Sequence, residues 1–283
     1  MRIKRGPLGD IFRRFCANRM AVAGAIIIII MIICALGASL IAPYPYDEQN
    51  LIASLSPPSK TYLLGTDEFG RDILSRLIYG TQISLQVGLI AVGIGMFVGG
   101  ILGAVSGFYG GVLDNLLMRC MDILLSIPYI LLAIAVAASL GPGLFNLMIA
   151  IGISSVPRYA RIVRGSVLAI RHLEFIEASR AVGSSDRRII FKHVIPNCMA
   201  PVIVQATLGV ASAIISTAAL SFIGLGIQPP TPEWGSMLSS GRNYIRNFPH
   251  LTLFPGLAIM FTILALNFIG DGLRDALDPK LKR

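Results

Sequence analysis

Five stretches of this chain contain no Asp, Glu, Lys or Arg, and their length constrains the fold more than any other feature. They run from Met20 up to Asp47, and over Leu77–Leu113, Ile123–Pro157, His193–Pro232 and Asn247–Gly270. About 20 predominantly apolar residues cross a bilayer as one helix. Uncharged blocks of this size suit lipid rather than water as the surrounding solvent. Composition agrees: of 283 residues, 54% are hydrophobic and 14% charged, against about 25% charged in soluble domains.

The third block, with 35 residues, is too long for one span, and Gly141-Pro142-Gly143 breaks it as a tight turn should. It therefore reads as two spans, Ile123–Leu140 and Leu144–Val156. Ala21–Ala42 is too long for a signal-peptide core and reads as an uncleaved first span. A fifth span lies near Pro201–Ile223 and a sixth within 247–270.

Six spans put both termini on one side, and basic residues test that arrangement. Segments 1–20, 109–122, 157–200 and 271–283 hold 19 Lys and Arg, whereas 43–82 and 224–250 hold 5. Both termini are thus expected in the cytoplasm. The predicted fold is an all-α polytopic membrane protein with six transmembrane helices. It has a cytoplasmic N-terminal segment (1–20), a first helix (21–42) and an extracytoplasmic segment (43–82). A core with five helices (83–270) and a cytoplasmic tail (271–283) follow. The net charge of +9 fits membrane topology, and no aromatics interleave the basic segments, so nucleic acid is not expected as a partner.

Gly95, Gly99, Gly103 and Gly107 recur at every fourth position, forming one flat helix stripe. Small residues let another helix approach closely. Plain packing and a moving contact near a pore both fit. In Gly65–Gly80, Thr66 can cap a helix with Asp67 and Glu68 in its first turn. Phe69, Ile73 and Leu77 then make an amphipathic face, to lie on the membrane or across the outer ends of the spans.

The segment Arg158–Pro196 holds eight basic and three acidic residues. Leu168, Ala169, Leu173, Ile176 and Ala181 make a helical stripe, which Gly183 stops. Ser184 can cap a second helix, Ser185–Val194, and Pro196 begins the return to the membrane. This helix-Gly-helix elbow exposes side chains that lipid cannot use, so it needs a protein partner or water. By charge alone it also fits a solvated basic connector.

Glu177-Ala178-Ser179, Gly183 after three residues, and Ile195-Pro196 resemble the EAA loop of ABC importer permeases. Ser179, His193 and Ile195 depart from that pattern without changing its spacing. GTDEFGRDILSR, QPPTPEWGSML (Gln228–Leu238) and GDGLRDALDPKLK (Gly270–Lys282) are similar to the dipeptide/oligopeptide (peptide/nickel) subfamily, most of all its second permease subunit. The resemblance implies a bacterial or archaeal cell-membrane subunit that carries di- or oligopeptides. It implies three kinds of protein partner: a second homologous permease, two ATP-binding subunits, and an extracytoplasmic substrate-binding protein. Glu177, Ala178, Ser179, Gly183, Ile195 and Pro196 would dock an ATP-binding subunit. Trp234, after Pro229, Pro230 and Pro232, would meet the binding protein, form an outer gate, or anchor at the membrane interface.

The chain has no Gly-Lys dipeptide and hence no P-loop for ATP phosphates. No catalytic, cofactor or metal site is expected: the four cysteines (Cys16, Cys34, Cys120, Cys198) and three histidines (His172, His193, His250) are scattered. Nickel or glutathione are alternative cargoes for the same machinery. A gradient-driven carrier is the alternative from another class, and it would place ionisable residues inside the bilayer. The spans drawn above contain none. Arg119 and Asp122, at the edge of the third, are expected to pair at a helix end.

Overall fold

The computed structural model describes residues 7–277. Their regular structure is helical, apart from one isolated bridge between Thr66 and Asp72. The basic residues Arg2, Lys4, Arg5, Lys280, Lys282 and Arg283, with the end of the Gly270–Lys282 motif, lie outside the described residues.

The first helix, α1 (Pro7–Ala17), is amphipathic. Asn18 then caps α2 (Arg19–Leu36), accepting from the backbone N–H groups of Met20 and Ala21 at 3.1 and 3.2 Å. This apolar helix stops at Gly37, ahead of the short α3 (Ala38–Ile41), rather than running unbroken to Ala42. Ile29, Ile30 and Ile33 remain exposed along it, as on a lipid-facing surface.

The helix expected from Thr66 begins instead at Ile73. Asp67 turns the preceding chain, accepting from the backbone N–H groups of Phe69 and Arg71 at 2.9 and 3.0 Å. Gly65 and Gly70 take φ of +83° and +73°, which no helix allows. Asp72, not Thr66, caps α4 (Ile73–Tyr109), accepting from the Ser75 N–H and hydroxyl at 2.7 Å each. Ile73, from the expected apolar face, is buried, and so is Arg76 from another face, so this segment packs inside the protein.

After the Gly110 turn come α5 (Gly111–Ser126) and α6 (Tyr129–Leu140), which meet at a 92° bend. The single straight span expected at Ile123–Leu140 is therefore broken. Pro128 cannot extend the α5 ladder, and it holds Ile127 in the extended region at φ −89°, ψ 128°. Gly141-Pro142-Gly143 makes the expected reversal, with Gly141 and Gly143 at positive φ.

Helix α7 (Leu144–Ile170) does not stop at Val156; it continues through Pro157 for 27 residues. Arg158, Arg161 and Arg164 consequently stand on its wall rather than in a loop. Two of them find carboxylates on α5: Arg161 meets Asp122 at 2.6 Å, and Arg164 grips Asp114 with two bonds of 2.6 and 2.7 Å. Asp122 thus pairs with Arg161, not with Arg119.

The chain continues through α8 (Glu174–Ala181), α9 (Asp186–Ile189), a π-helical turn (Ile190–Val194) and α10 (Ile195–Phe222). It ends in α11 (Trp234–Gly241) and α12 (His250–Leu277). Among the described residues, four helical runs are long and apolar enough to cross a membrane: α2, α4, Asp186–Phe222 and α12. The bent α5–α6 pair makes five if it counts as one span. Its arginines keep α7 below the same measure.

Helices α4 and α7 form the main seam. A Cβ on Gly99 would stand 2.5 Å from the Val156 carbonyl oxygen, and one on Gly107 2.9 Å from Val167 Cβ. One on Gly95 would overlap the Ser155 hydroxyl, and one on Gly103 the Ala160 carbonyl. Each glycine of the stripe therefore faces α7 at backbone distance. Gly24 makes a similar approach to Ala265, joining α2 to α12.

Candidate functional site

The bundle has two differently built ends. At the elbow end, Arg171 follows the last turn of α7 and donates through Nη1 to the Gly107 carbonyl, 3.1 Å away at the end of α4. Asn18 lies at this end too, with its side-chain amide 3.4 Å from Asp275 of α12. The loop end holds residues 43–72, α11 and the start of α12.

The elbow grows out of Leu173, whose carbonyl accepts from Ile176 and Glu177 at 2.9 and 3.2 Å to start α8. Glu174 and Glu177 in the first turn and Arg180 in the last complement the helix dipole. Arg180 also lies 5.0 Å over the Phe108 ring, tying α8 to α4. The expected unbroken stripe from Leu168 is interrupted here, because the turn at Arg171–Leu173 separates α7 from α8.

Gly183 ends α8 with paired bonds: its own N–H reaches the Arg180 carbonyl at 2.9 Å, and the Ser184 N–H reaches Ser179 at 3.1 Å. Its φ of +79° is what requires glycine. A Cβ there would meet nothing within 4 Å, so crowding inside the chain does not. Ser185, one residue later than expected, holds the cap position of α9. The π turn closes with the Ile195 N–H bonded to the Ile190 carbonyl. Pro196, lacking an N–H, leaves no α-type bond to make at the next position.

Glu177 and Ala178 are exposed on α8, and Gly183 is exposed at the turn. Pro196 is exposed at the start of α10, while Ile195 beside it is half-buried. Ser179 differs from the docking expectation: it turns inward with Ile176 and is buried. Further apolar residues are exposed beside them. Val182 is 80% exposed and Phe191 64%, with Phe175 and Leu173 close to half. Apolar residues inside a strongly basic connector were the available signal for them.

At the loop end, Trp234 is 1% exposed, and its indole N–H donates to the Leu77 carbonyl at 3.2 Å. It has no free surface for a binding protein or for the membrane interface; it pins α11 onto α4 beside Gly80. Glu233 caps α11, accepting from the backbone N–H groups of Gly235 and Ser236 at 2.8 Å each. Burial pushes the Glu233 carboxyl above its ordinary value, and those backbone donors partly offset the shift. Arg76 reaches the carbonyls of Tyr46 and Pro230 at 3.1 and 3.2 Å, and Arg71 bonds Asp67 at 2.7 Å.

Residues 91–283 match the family described as binding-protein-dependent transport system inner membrane component. Residues 6–58 match the N-terminal TM domain of oligopeptide transport permease C. The chain is 49% identical over 276 residues to the dipeptide transport system permease protein DppC of Alkalihalophilus pseudofirmus, covering 98% of this chain and 91% of that one. The di/tripeptide transport system permease protein DppC of Pseudomonas aeruginosa is also 49% identical, with 98% and 93% covered. The glutathione transport system permease protein GsiD of Pectobacterium atrosepticum is 43% identical, with the same coverage. A chain of the MetNI methionine ABC transporter in an inward-facing conformation shares the fold, at TM-score 0.58 and 20% identity over 72% of this chain and 97% of that one. A polytopic helical chain that matches these permeases along nearly its whole length belongs to the binding-protein-dependent transport system inner membrane component family, as an ABC transporter permease.

Proposed function

We propose that this chain carries di- or oligopeptides across the cell membrane, paired with a second homologous permease. An extracytoplasmic binding protein delivers the peptide, and two ATP-binding subunits hydrolyse ATP, one of them docking at the elbow of this chain. The reading takes α7 as a span held in place by its ion pairs, giving six spans with both termini cytoplasmic. With Arg158, Arg161 and Arg164 set aside as part of α7, 16 basic residues against 5 still support this orientation.

One observation carries the docking assignment. The short helix α8 ends at Gly183, exposes apolar residues at its surface, and leads by a helical path into the long α10. Glu177, Ala178, Gly183 and Pro196 form the contact, with Val182 and Phe191 as its apolar part. Ser179 supports the elbow from inside. The dipeptide permeases among its relatives support peptide cargo. Glutathione, itself a small peptide, is the second reading, favoured by the GsiD relatives at 43–46% identity.

The test replaces Gly183 with Val and with Asn in the reconstituted complex. Val disfavours positive φ, whereas Asn tolerates it. Gly183→Val is expected to lower co-purification of the ATP-binding subunits and coupled uptake, with membrane insertion unchanged. Gly183→Asn should retain most of both. Full coupled uptake in Gly183→Val would refute docking at this turn. Competition between labelled dialanine and glutathione separates the two cargoes.

A further inference from the structure

Three arginines stand at every third position of α7, and two are neutralised by α5. Arg164 holds Asp114 in a two-bond grip, and Arg161 holds Asp122. Arg158 has no carboxylate within ion-pair distance among the described residues. It lines a cavity of about 260 Å³ between α4, α6, α7 and α10.

The cavity is polar where Arg158 meets it. Tyr129, Ser155, Tyr159, Gln205 and Ser212 share its wall, with Ala91 and Ile151 behind them. The Tyr159 hydroxyl lies 3.4 Å from the Gln205 carbonyl and packs on Gly209, which joins α7 to α10 here. Arg158 lies fourteen residues beyond Leu144. At 1.5 Å per residue that is about 21 Å along the helix, within the about 30 Å of a hydrocarbon core. An unpaired cation at such depth is costly unless it faces a water-filled space or a ligand, and it commonly marks a substrate path.

We propose that Arg158 is a substrate-contacting residue that receives the C-terminal carboxylate of the peptide during passage through the permease. This rests on the peptide-permease reading above. The guanidinium fork matches a carboxylate with two parallel bonds, and the neighbouring hydroxyl and amide groups offer further bonds to the terminal peptide unit. The volume lies near the lower limit of about 300 Å³ for ligand pockets, so it suits one end of a peptide rather than a long chain. A brief, weak contact of this kind lets the cargo enter and leave.

The experiment uses the whole complex in proteoliposomes: this chain, the second permease, both ATP-binding subunits and the binding protein. The probes are labelled dialanine and alanyl-alanine amide, with loading of each measured on the binding protein alone. The readout is peptide imported per ATP hydrolysed. Arg158→Gln is expected to lower dialanine import per ATP about tenfold, the scale of one charge-assisted contact. It should leave complex yield, stimulated ATPase activity and amide import unchanged. Arg158→Lys should fall between wild type and Gln, since it keeps charge without the fork.

Unchanged dialanine import in Arg158→Gln would overturn the proposal. So would an equal loss for dialanine and the amide, which would give Arg158 no role specific to the carboxylate. Loss of complex yield or of ATPase stimulation would assign Arg158 to the second permease or to structure, and would overturn it as well. If the wild-type complex assembles and hydrolyses ATP yet imports neither peptide, the peptide reading fails, and this inference fails with it.

Discussion

At the loop end, Asp72, Arg71, Arg76, Glu233 and Trp234 are buried and bonded, while at the elbow end Phe175, Val182 and Phe191 stand exposed. The first set closes within a single chain, since these five side chains have their bonding partners there, although Leu51, Ile52 and Leu63 of the same end stay exposed. The second leaves apolar surface uncovered next to backbone that is regular and well bonded, as expected of a surface that another protein covers. Stability and association should therefore respond to mutation at opposite ends.

The largest effect is expected from Trp234→Ala, which should lower stability by about 3–5 kcal/mol by opening a cavity under α11. Thermal unfolding of the purified complex checks this; an unchanged melting temperature would remove the pinned loop end from the comparison. As the chain's sole tryptophan, Trp234 should also give blue-shifted, poorly quenched emission in the isolated chain. The α4–α7 seam that joins the ends gives a matched pair. Gly103→Ala should cost about 1–3 kcal/mol by overpacking against Ala160. Gly100→Ala, with open space beside it, should stabilise by up to about 1 kcal/mol. Equal melting temperatures for the two would show that the seam has slack.

Glu233→Ala should remove about 1–2 kcal/mol with the cap of α11. The sign of its pH dependence follows from the raised carboxyl. A group whose folded value lies above the unfolded one stabilises most fully in acid and loses that contribution as pH rises through the folded value. The wild type should therefore lose melting temperature relative to Glu233→Gln as pH rises above the ordinary carboxyl range. A constant difference would assign the titration to other groups. The smallest stability effect belongs to Val182→Ser, within about 0.5 kcal/mol because the side chain is already exposed. Its effect on retention of the ATP-binding subunits should nevertheless exceed that of Trp234→Ala, compared at equal amounts of folded chain. The reverse order would undo the assignment of the two ends.

Much of the bundle was legible in uncharged runs. The helices α2, α4, α10 and α12 occupy four of them, and the Gly141-Pro142-Gly143 reversal lies between α6 and α7. What escaped depended on partners far along the chain. Charge suggested that a loop begins at Arg158, yet α7 continues because Asp114 and Asp122 on α5 neutralise two of its arginines. Local propensity favoured Thr66 as a cap, but its hydroxyl bonds the Ala53 carbonyl and accepts from the Ser56 N–H, which leaves the cap to Asp72. The elbow's spacing was readable, and so was the break at Gly183. The inward turn of Ser179 and the burial of Trp234 were not, because both depend on which helix faces they meet.

The run Asp186–Phe222 passes from the elbow to the loop end without a coil segment. At 1.5 Å per residue its 37 residues make a strut about 55 Å long. Pivoting such a strut by about 5° at the Asp186 end would swing Phe222 sideways by about 5 Å. With a moment arm this long, a small rotation at the footing becomes a displacement of several ångströms at the opposite face.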